Sequence, residues 1–265
     1  MNEPAFKGKT AIVTGSASGI GAAVALLLGR EGANIIVNYA TSEPEARQIV
    51  AAVGAAGGRA VAVQGDVASD ADCRKLAVTA LETFGGIDIL VNNAGITKFA
   101  SHADLDALDD VDFQRLYAVN VIGAFQMVRA AITPLKASGS GTVVNVSSIA
   151  GLHGIGSSIA YAASKGALNT MTKSLARALA PHVRVNAVCP GFVASSWFAR
   201  AFGRETADRM AADHQKTVPL DRVAQPEDIA EVVAFFAGPA SRHVTGETLL
   251  VDGGLHLTVG PAGFR

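Results

Sequence analysis

The chain has 265 residues, is 49% hydrophobic and carries a net charge of -1, a globular composition with ample material for a core and no basic surplus of the kind nucleic-acid binding requires. Its two cysteines, Cys73 and Cys189, cannot build a disulfide framework or a thiolate metal site, and the start MNEPAFKGKT lacks an apolar signal region. Apolar runs such as IIV and IDILV are too short to span a bilayer, so a cytoplasmic protein with neither membrane nor nucleic-acid partners is expected.

Short β-branched runs alternate with longer alanine-rich segments. In chain order the predicted strands are TAIVT (10–14), NIIVNY (34–39), RAVAVQ (59–64), IDILVN (87–92), TVVNVS (142–147), VRVNAV (183–188) and TLLVD (248–252). Between them, segments such as GIGAAVALLLGREG and DADCRKLAVTALETFGG have helical spacing and end in glycine. Strands apolar on both faces and separated by helices predict a doubly wound α/β (Rossmann) fold: a seven-stranded parallel sheet with helices on both faces. No linker or low-complexity tract divides the chain, so residues 1–265 are read as one domain. Ligands in such a fold bind at the carboxyl ends of the strands, where the strand order reverses.

Several motifs fall at those ends. After the first strand, TGSASGIG places Gly15, Gly19 and Gly21 in a turn that lets backbone approach a pyrophosphate, ahead of a helix whose first N–H groups lack partners. GDV (65–67) follows the third strand and NNAG (92–95) the fourth. Alone, Asp66 reads as a helix cap for the segment beginning near Ser69, and Asn92 as a turn residue. In YAASK, Tyr161 and Lys165 lie four apart, so on a helix the phenol and the ammonium are neighbours on one face. Other chemistries lack their residues. The six histidines show no H-E-x-x-H spacing, GSASG puts Ala17 where a hydrolase has its serine, and no Walker lysine follows the glycine turn. No metal site is expected.

TGSASGIG, NNAG, Asn120 in AVNVIGAF, Ser148 in NVSSIAG, YAASK, CPG and VTGETLLVDGG, in this order over nearly the whole chain, resemble the short-chain dehydrogenase/reductase family, and most of all its 3-oxoacyl-carrier-protein-reductase-like branch. The resemblance implies a nicotinamide-dependent enzyme interconverting a carbonyl compound and a secondary alcohol. It makes Tyr161 the acid/base, Lys165 its activator, Ser148 the hydroxyl that holds the substrate oxygen, and Asn120 a structural and proton-relay residue. It places the cofactor along Gly15, Ser18, Gly19, Ile20, Gly21, Asn38, Tyr39, Thr41, Asp66, Val67, Asn93, Ala94, Gly95, Tyr161, Lys165, Pro190, Gly191, Val193 and Ser195. A silent nucleotide-binding scaffold should have lost part of the Asn120, Ser148, Tyr161 and Lys165 set, and a halohydrin dehalogenase should have lost the lysine and the glycine turn. Neither loss is present.

For Tyr161 to exchange a proton near neutrality, its pKa of about 10 must fall by roughly 3 units, and Lys165 is expected to supply much of that fall. Strand two ends VNYATSE, without the early acid that would repel a 2'-phosphate. Asn38, Tyr39, Thr41 and Ser42 offer neutral hydrogen-bonding groups, which favours NADP(H) over NAD(H). Residues 195–218 sit where the family has a mobile substrate lid. Trp197, Phe198, Phe202 and Met210 are expected on one wall of an apolar pocket, with His102, Leu152 and His153 opposite. The resemblance also implies a homotetramer using helices near 104–133 and 160–180 and the C-terminal strand, with the tail 255–265 available to reach a neighbour. A carrier-protein reductase should show cations before strand five and after the YAASK helix. Here PLKASGSGT offers Lys136 alone and ARALAPHVR places Pro181 and His182 there, with Arg177 and Arg184 as substitutes, so a free carbonyl substrate is expected.

Overall fold

The computed structural model describes residues 4–258. Its sheet consists of β1 (Thr10–Val13), β2 (Asn34–Tyr39), β3 (Arg59–Gln64), β4 (Ile89–Asn92), β5 (Gly141–Val146), β6 (Val183–Pro190) and β7 (Thr248–Val251), all parallel, in the order β3-β2-β1-β4-β5-β6-β7. The order reverses between β1 and β4, which opens a crevice at their carboxyl ends. Strand alternation feeds two cores. Ala11, Val13, Ile35, Val37, Val91 and Val144 face one side, and Ile12, Ile36, Leu90, Val143 and Val185 the other.

The first core is closed by α1 (Gly19–Arg30) and α2 (Glu43–Ala55) through Val24, Leu28 and Val53. The second is covered by α3 (Asp70–Phe84), which contributes Leu76, and by a continuous helical stretch, Asp110–Ala137. That stretch comprises α4 (Asp110–Tyr117), a π-helical turn (Ala118–Gly123) and α5 (Ala124–Ala137). It is long and apolar enough to cross a bilayer, contrary to the expectation from the short apolar runs, but α5 packs Met127, Ala131 and Leu135 onto the sheet as a covering helix. The wide turn carries Asn120 inward, and such bulges recur at functional sites.

After β5 come α6 (Ala150–His153) and α7 (Ile159–Leu179). Ser158, fully buried, caps α7 by accepting from the Tyr161 backbone N–H at 3.2 Å, which fixes the turn bearing the phenol. After β6 the chain forms α8 (Ser196–Phe202) and α9 (Arg204–Gln215), within the span expected for the lid, then α10 (Pro226–Ala237), which packs Phe236 and Val233 into the first core. Of the tail, residues 255–258 form a short 3-10 turn and its end, and the rest lies outside the described residues.

One contact sets the position of α7. At Gly151 of α6 a Cβ would lie 2.4 Å from the Lys165 carbonyl carbon and 2.6 Å from the Gly166 nitrogen, so the two helices touch backbone to backbone where the lysine is carried. Gly151→Ala should therefore lower stability by about 1–3 kcal/mol, as overpacking does, and lower kcat by displacing Lys165. Thermal unfolding and steady-state rates check this, and an unchanged kcat would show that α7 absorbs the shift elsewhere.

Candidate active site

The glycine turn is stitched to its neighbours from both sides. The Thr14 hydroxyl accepts from the N–H groups of Asn93 and Ala94, both at 3.0 Å, while Asn93 Nδ2 donates to the carbonyls of Thr14 and Gly15 at 2.9 and 3.1 Å. Close approach makes glycine obligatory. A Cβ on Gly15 would sit 2.9 Å from the Ala94 Cα, and one on Gly21 would sit 2.4 Å from Asn93 Nδ2. Asn38 braces the other side. Its Oδ1 accepts from Gly15 N–H at 3.0 Å, and its Nδ2 donates to the carbonyls of Gly65 and Val63 at 2.9 and 3.4 Å. Expected as a free hydrogen-bonding group for the ribose end, Asn38 is instead 2% exposed with its amide spent on the turns that end β1 and β3. An aspartate there would set a carboxylate against two carbonyl oxygens, so Asn38→Asp lowers stability before it can switch cofactor choice.

A cavity of about 930 Å³ runs over these turns. It is lined by Gly15, Ser18, Gly19, Ile20, Asn38, Tyr39, Thr41, Asp66, Val67, Asn93, Ala94, Gly95, Pro190, Gly191, Val193 and Ser195, and by Ser148, Tyr161 and Lys165. Gly21 stands behind the wall, where it allows the helix its close contact with Asn93. Asp66 caps locally, accepting from Ala68 N–H at 2.9 Å, while Ser69 caps α3. The Ser195 hydroxyl accepts from Trp197 N–H as the cap of α8, and its Cβ stands 3.7 Å from where a Gly19 Cβ would be. An elongated dinucleotide fits this donor set: glycines against backbone, the open N-terminus of α1 for its phosphates, and neutral Thr41 and Ser42 at one end. When bound, such a group would supply hydride to a carbonyl carbon or take it from an alcohol.

At the other end the reacting groups converge. Lys165, 4% exposed, donates from Nζ to the Val146 carbonyl at 2.9 Å, and Nζ lies 5.7 Å from the Tyr161 ring centroid. The Ser148 side chain is close enough to the Tyr161 phenol to favour its ionised form. Asn120, 1% exposed, does not line the cavity. It accepts from Ile96 N–H at 2.9 Å and donates to the Ile96 carbonyl and Ser164 Oγ, both at 3.0 Å, which ties the loop after β4 to α7. Behind it runs a buried polar chain that sequence reading missed: Asn92 donates to Asn145 at 2.9 Å, and Asn145 to Thr172 at 2.8 Å.

The electrostatics differ from expectation. Burial pushes Tyr161 up to about 12, with the Ser148 side chain pulling the other way, and burial pushes Lys165 down to about 8. Tyr161 is half-buried and lines the cavity, desolvation is the largest influence on its phenol, and the Lys165 ammonium is turned onto the Val146 carbonyl. Burial thus favours the protonated phenol, beside the Ser148 hydroxyl.

Aromatic contacts join α8 to the loops after β4 and β6. Phe192, just after β6, stacks on Phe198 with centroids 4.4 Å apart. Phe198 lies 5.9 Å from Phe99, Phe99 meets Phe202 edge-on at 4.6 Å, and Trp197 leans over Tyr161 at 6.4 Å. Trp197, Phe198 and Met210 line the cavity as expected, joined by Phe99, Phe192, Ile155, His214 and Leu255. His102, Leu152 and His153, expected on the opposite wall, do not line the cavity, and neither does Phe202, expected beside Trp197 and Phe198. The single turn of α6 ends at Gly154 in the left-handed region (φ 66), which leaves Leu152 and His153 outside, the latter stacked on His256 at 6.4 Å. His102 is turned inward, its Nε2 buried without a hydrogen-bond partner, and Phe202 is 42% exposed behind Phe99. Phe99 and Phe192 carry no motif that marks them; the aromatic composition of the two loops was the available signal.

A doubly wound fold with a glycine turn at its switch point and a buried Tyr–Lys pair at the same edge defines a dinucleotide-dependent oxidoreductase. The adh_short_C2 family model, described as enoyl-(acyl carrier protein) reductase, matches residues 15–256. A protein named as ketoacyl reductase 2 of granaticin polyketide synthase from Streptomyces violaceoruber is 43% identical over 97% of this chain and 100% of its own length. The 3beta-hydroxysteroid dehydrogenase 1 of Eggerthella lenta is 40% identical over 96% of each chain. A two-residue variant of a Serratia marcescens short-chain dehydrogenase/reductase superposes with TM-score 0.85 at 34% identity, over 95% of this chain and 99% of its own. The chain belongs to the short-chain dehydrogenase/reductase family and is an oxidoreductase that interconverts carbonyl compounds and alcohols with a nicotinamide cofactor.

The buried ammonium has a measurable signature. Because Lys165 lies at about 8 folded against 10.5 ordinarily, the stability contributed by its neutral form is complete above pH 10.5 and is lost as pH falls through 8. Lys165→Met removes this dependence. Its stability relative to wild type should be about 3 kcal/mol more favourable at pH 7 than at pH 10.5, at about 1.4 kcal/mol per pH unit. Denaturant unfolding across that range checks it, and a difference independent of pH would mean that Lys165 is not desolvated.

Proposed function

We propose that this enzyme is an NADPH-preferring reductase of free, apolar ketones of small to medium size, with Tyr161 as proton donor, Ser148 orienting the carbonyl oxygen, Lys165 as the adjoining cation and Asn120 as the residue that holds their loops together. The observation that carries this reading is the uncharged aromatic lining around Tyr161. Trp197 leans over Tyr161, Phe99, Phe192 and Phe198 line the same cavity, and burial lowers the His214 imidazole from its ordinary value, which favours its neutral form. A ring-bearing ketone would bury its apolar surface there, at about 25 cal/mol per Å², and leave only its oxygen to the two hydroxyls. The steroid dehydrogenase among the relatives supports a bulky apolar substrate class.

A carrier-protein thioester is the second reading, favoured by the name of the matching family model. The charges argue against it. Lys136 is the one cation in PLKASGSGT, and Arg184 points inward, donating to the Ser241 carbonyl and hydroxyl at 3.0 and 2.9 Å, so Arg177 alone of the two substitutes stays exposed. The remaining reading is a single-domain cytoplasmic homotetramer with residues 195–218 as its lid. Val111, Ile122 and Phe125, exposed at 62%, 50% and 41% along the helical stretch 110–137, support an interface there.

The test is a panel of aryl, alicyclic and aliphatic ketones with NADPH and NADH, set beside acetoacetyl carrier protein at low and moderate salt. The free ketones with NADPH should give the higher kcat/KM. A carrier-protein value larger by about a hundredfold and falling steeply with salt would reverse the assignment. In the same assay Tyr161→Phe should lose about 100-fold to 10,000-fold in kcat while its cofactor Kd stays close to wild type. Retained turnover would remove Tyr161 as the donor.

A further inference from the structure

The lid carries a charge that the chemistry above does not use. Arg200, on α8, lines the cavity, is exposed, and donates from Nη2 to the Ser18 hydroxyl at 2.8 Å across 182 positions of sequence. Its remaining side-chain contacts go to Ser196 Oγ, from Nε at 3.2 Å and from Nη2. Among the described residues it forms no ion pair.

The place it occupies is unusual for a cation. Ser18 is the N-cap of α1, and its side chain makes no capping bond to its own helix. The N-terminus of a 12-residue helix carries partial positive charge, so a guanidinium held over it by a neutral hydroxyl adds like charge to like. An anion bound beside Ser18 would be attracted by both. Asp66 is the one carboxylate that lines the cavity among the described residues, and the end of β2 is neutral. The Asn38 bonds to Gly15 and Ser16 draw the end of β2 against the glycine turn, and Tyr39, Ala40, Thr41 and Ser42 complete that end of the cavity without a charge. The other cations lining the cavity are Lys165, committed to Val146 at the far end, and Arg115, on α4 beside Ala118 and Val119.

We infer that Arg200 is the residue that selects the 2'-phosphorylated dinucleotide, reaching the 2'-phosphate from the lid and not from the nucleotide-binding turn itself. A planar guanidinium pairs two N–H groups with phosphate oxygens, and neutral Thr41 and Ser42 supply the remaining donors. Because the same helix bears Trp197 and Phe198, the phosphate that engages Arg200 also holds the aromatic wall of the ketone pocket in place. Cofactor identity and ketone affinity are thereby coupled: the ketone KM should be lower with NADPH than with NADH, and Arg200→Gln should abolish that difference. This inference rests on the NADPH preference proposed above.

The experiment measures Kd by calorimetry for NADP+, NAD+ and 2'-phospho-ADP-ribose, which bears the phosphate but no nicotinamide, on wild type, Arg200→Gln and Arg200→Lys. Fluorescence of Trp197, the single tryptophan in the chain, reports the lid. Arg200→Gln should weaken NADP+ and 2'-phospho-ADP-ribose about tenfold or more while leaving NAD+ within about twofold, and Arg200→Lys should recover part of the loss. In wild type 2'-phospho-ADP-ribose should shift the Trp197 emission, and in Arg200→Gln it should not. Equal losses for NADP+ and NAD+ would assign the guanidinium to the shared pyrophosphate and overturn the inference, as would unchanged affinity for both. A wild type that binds NAD+ more tightly would instead overturn the cofactor preference. That outcome is read from the wild-type ratio alone, whereas the Arg200 inference is read from the change in ratio.

Discussion

The site depends on a buried ammonium. Lys165 donates to the carbonyl of Val146, the last residue of β5, from a helix whose backbone is pressed against Gly151, and it can do so only because α7 lies directly over the carboxyl end of the sheet. Removing charge from water is costly: burial of the ammonium lowers Lys165 to about 8, and burial of the phenol separately raises Tyr161 to about 12. The pair therefore rests in the state suited to giving a proton: phenol protonated, amine poised to titrate just above neutrality. Ser148 and the aromatic side chains of Phe99, Phe192, Trp197 and Phe198 line the same cavity.

The stitching around the glycine turn serves the same end. Thr14, Asn38 and Asn93 satisfy backbone groups of three separate turns, which fixes the mouth of the crevice without spending the N–H groups that open α1. Asn120 performs the equivalent task deeper in the fold. Its wide turn in the helical stretch 110–137 lets one amide hold Ile96 and Ser164 together, which ties the loop after β4 to the helix bearing Tyr161.

Strands were legible because each is apolar on both faces, and their ends matched the model to within two residues. The proximity of Tyr161 and Lys165 was legible because i and i+4 meet on any helix, whatever the tertiary fold. What depended on three-dimensional register was not. Asn38 looked free until its amide was seen bridging the turns after β1 and β3, and Leu152 and His153 looked pocket-bound until a one-turn helix left them outside. Arg200 lies 182 positions from Ser18, and no local pattern pairs them. The direction of the Tyr161 shift was misjudged for a related reason: spacing reveals a neighbouring charge but not the burial that outweighs it.

The account stands on the claim that burial keeps Tyr161 protonated. The most direct measurement is an ultraviolet difference titration of wild type against Tyr161→Phe without added dinucleotide, in which Tyr39 and Tyr117, the other two of the chain's three tyrosines, cancel. The predicted result is no phenolate from Tyr161 up to about pH 10, the ordinary value for tyrosine. Ionisation of Tyr161 near pH 7 or 8 under those conditions would contradict it, and would show that Lys165 alone lowers the phenol.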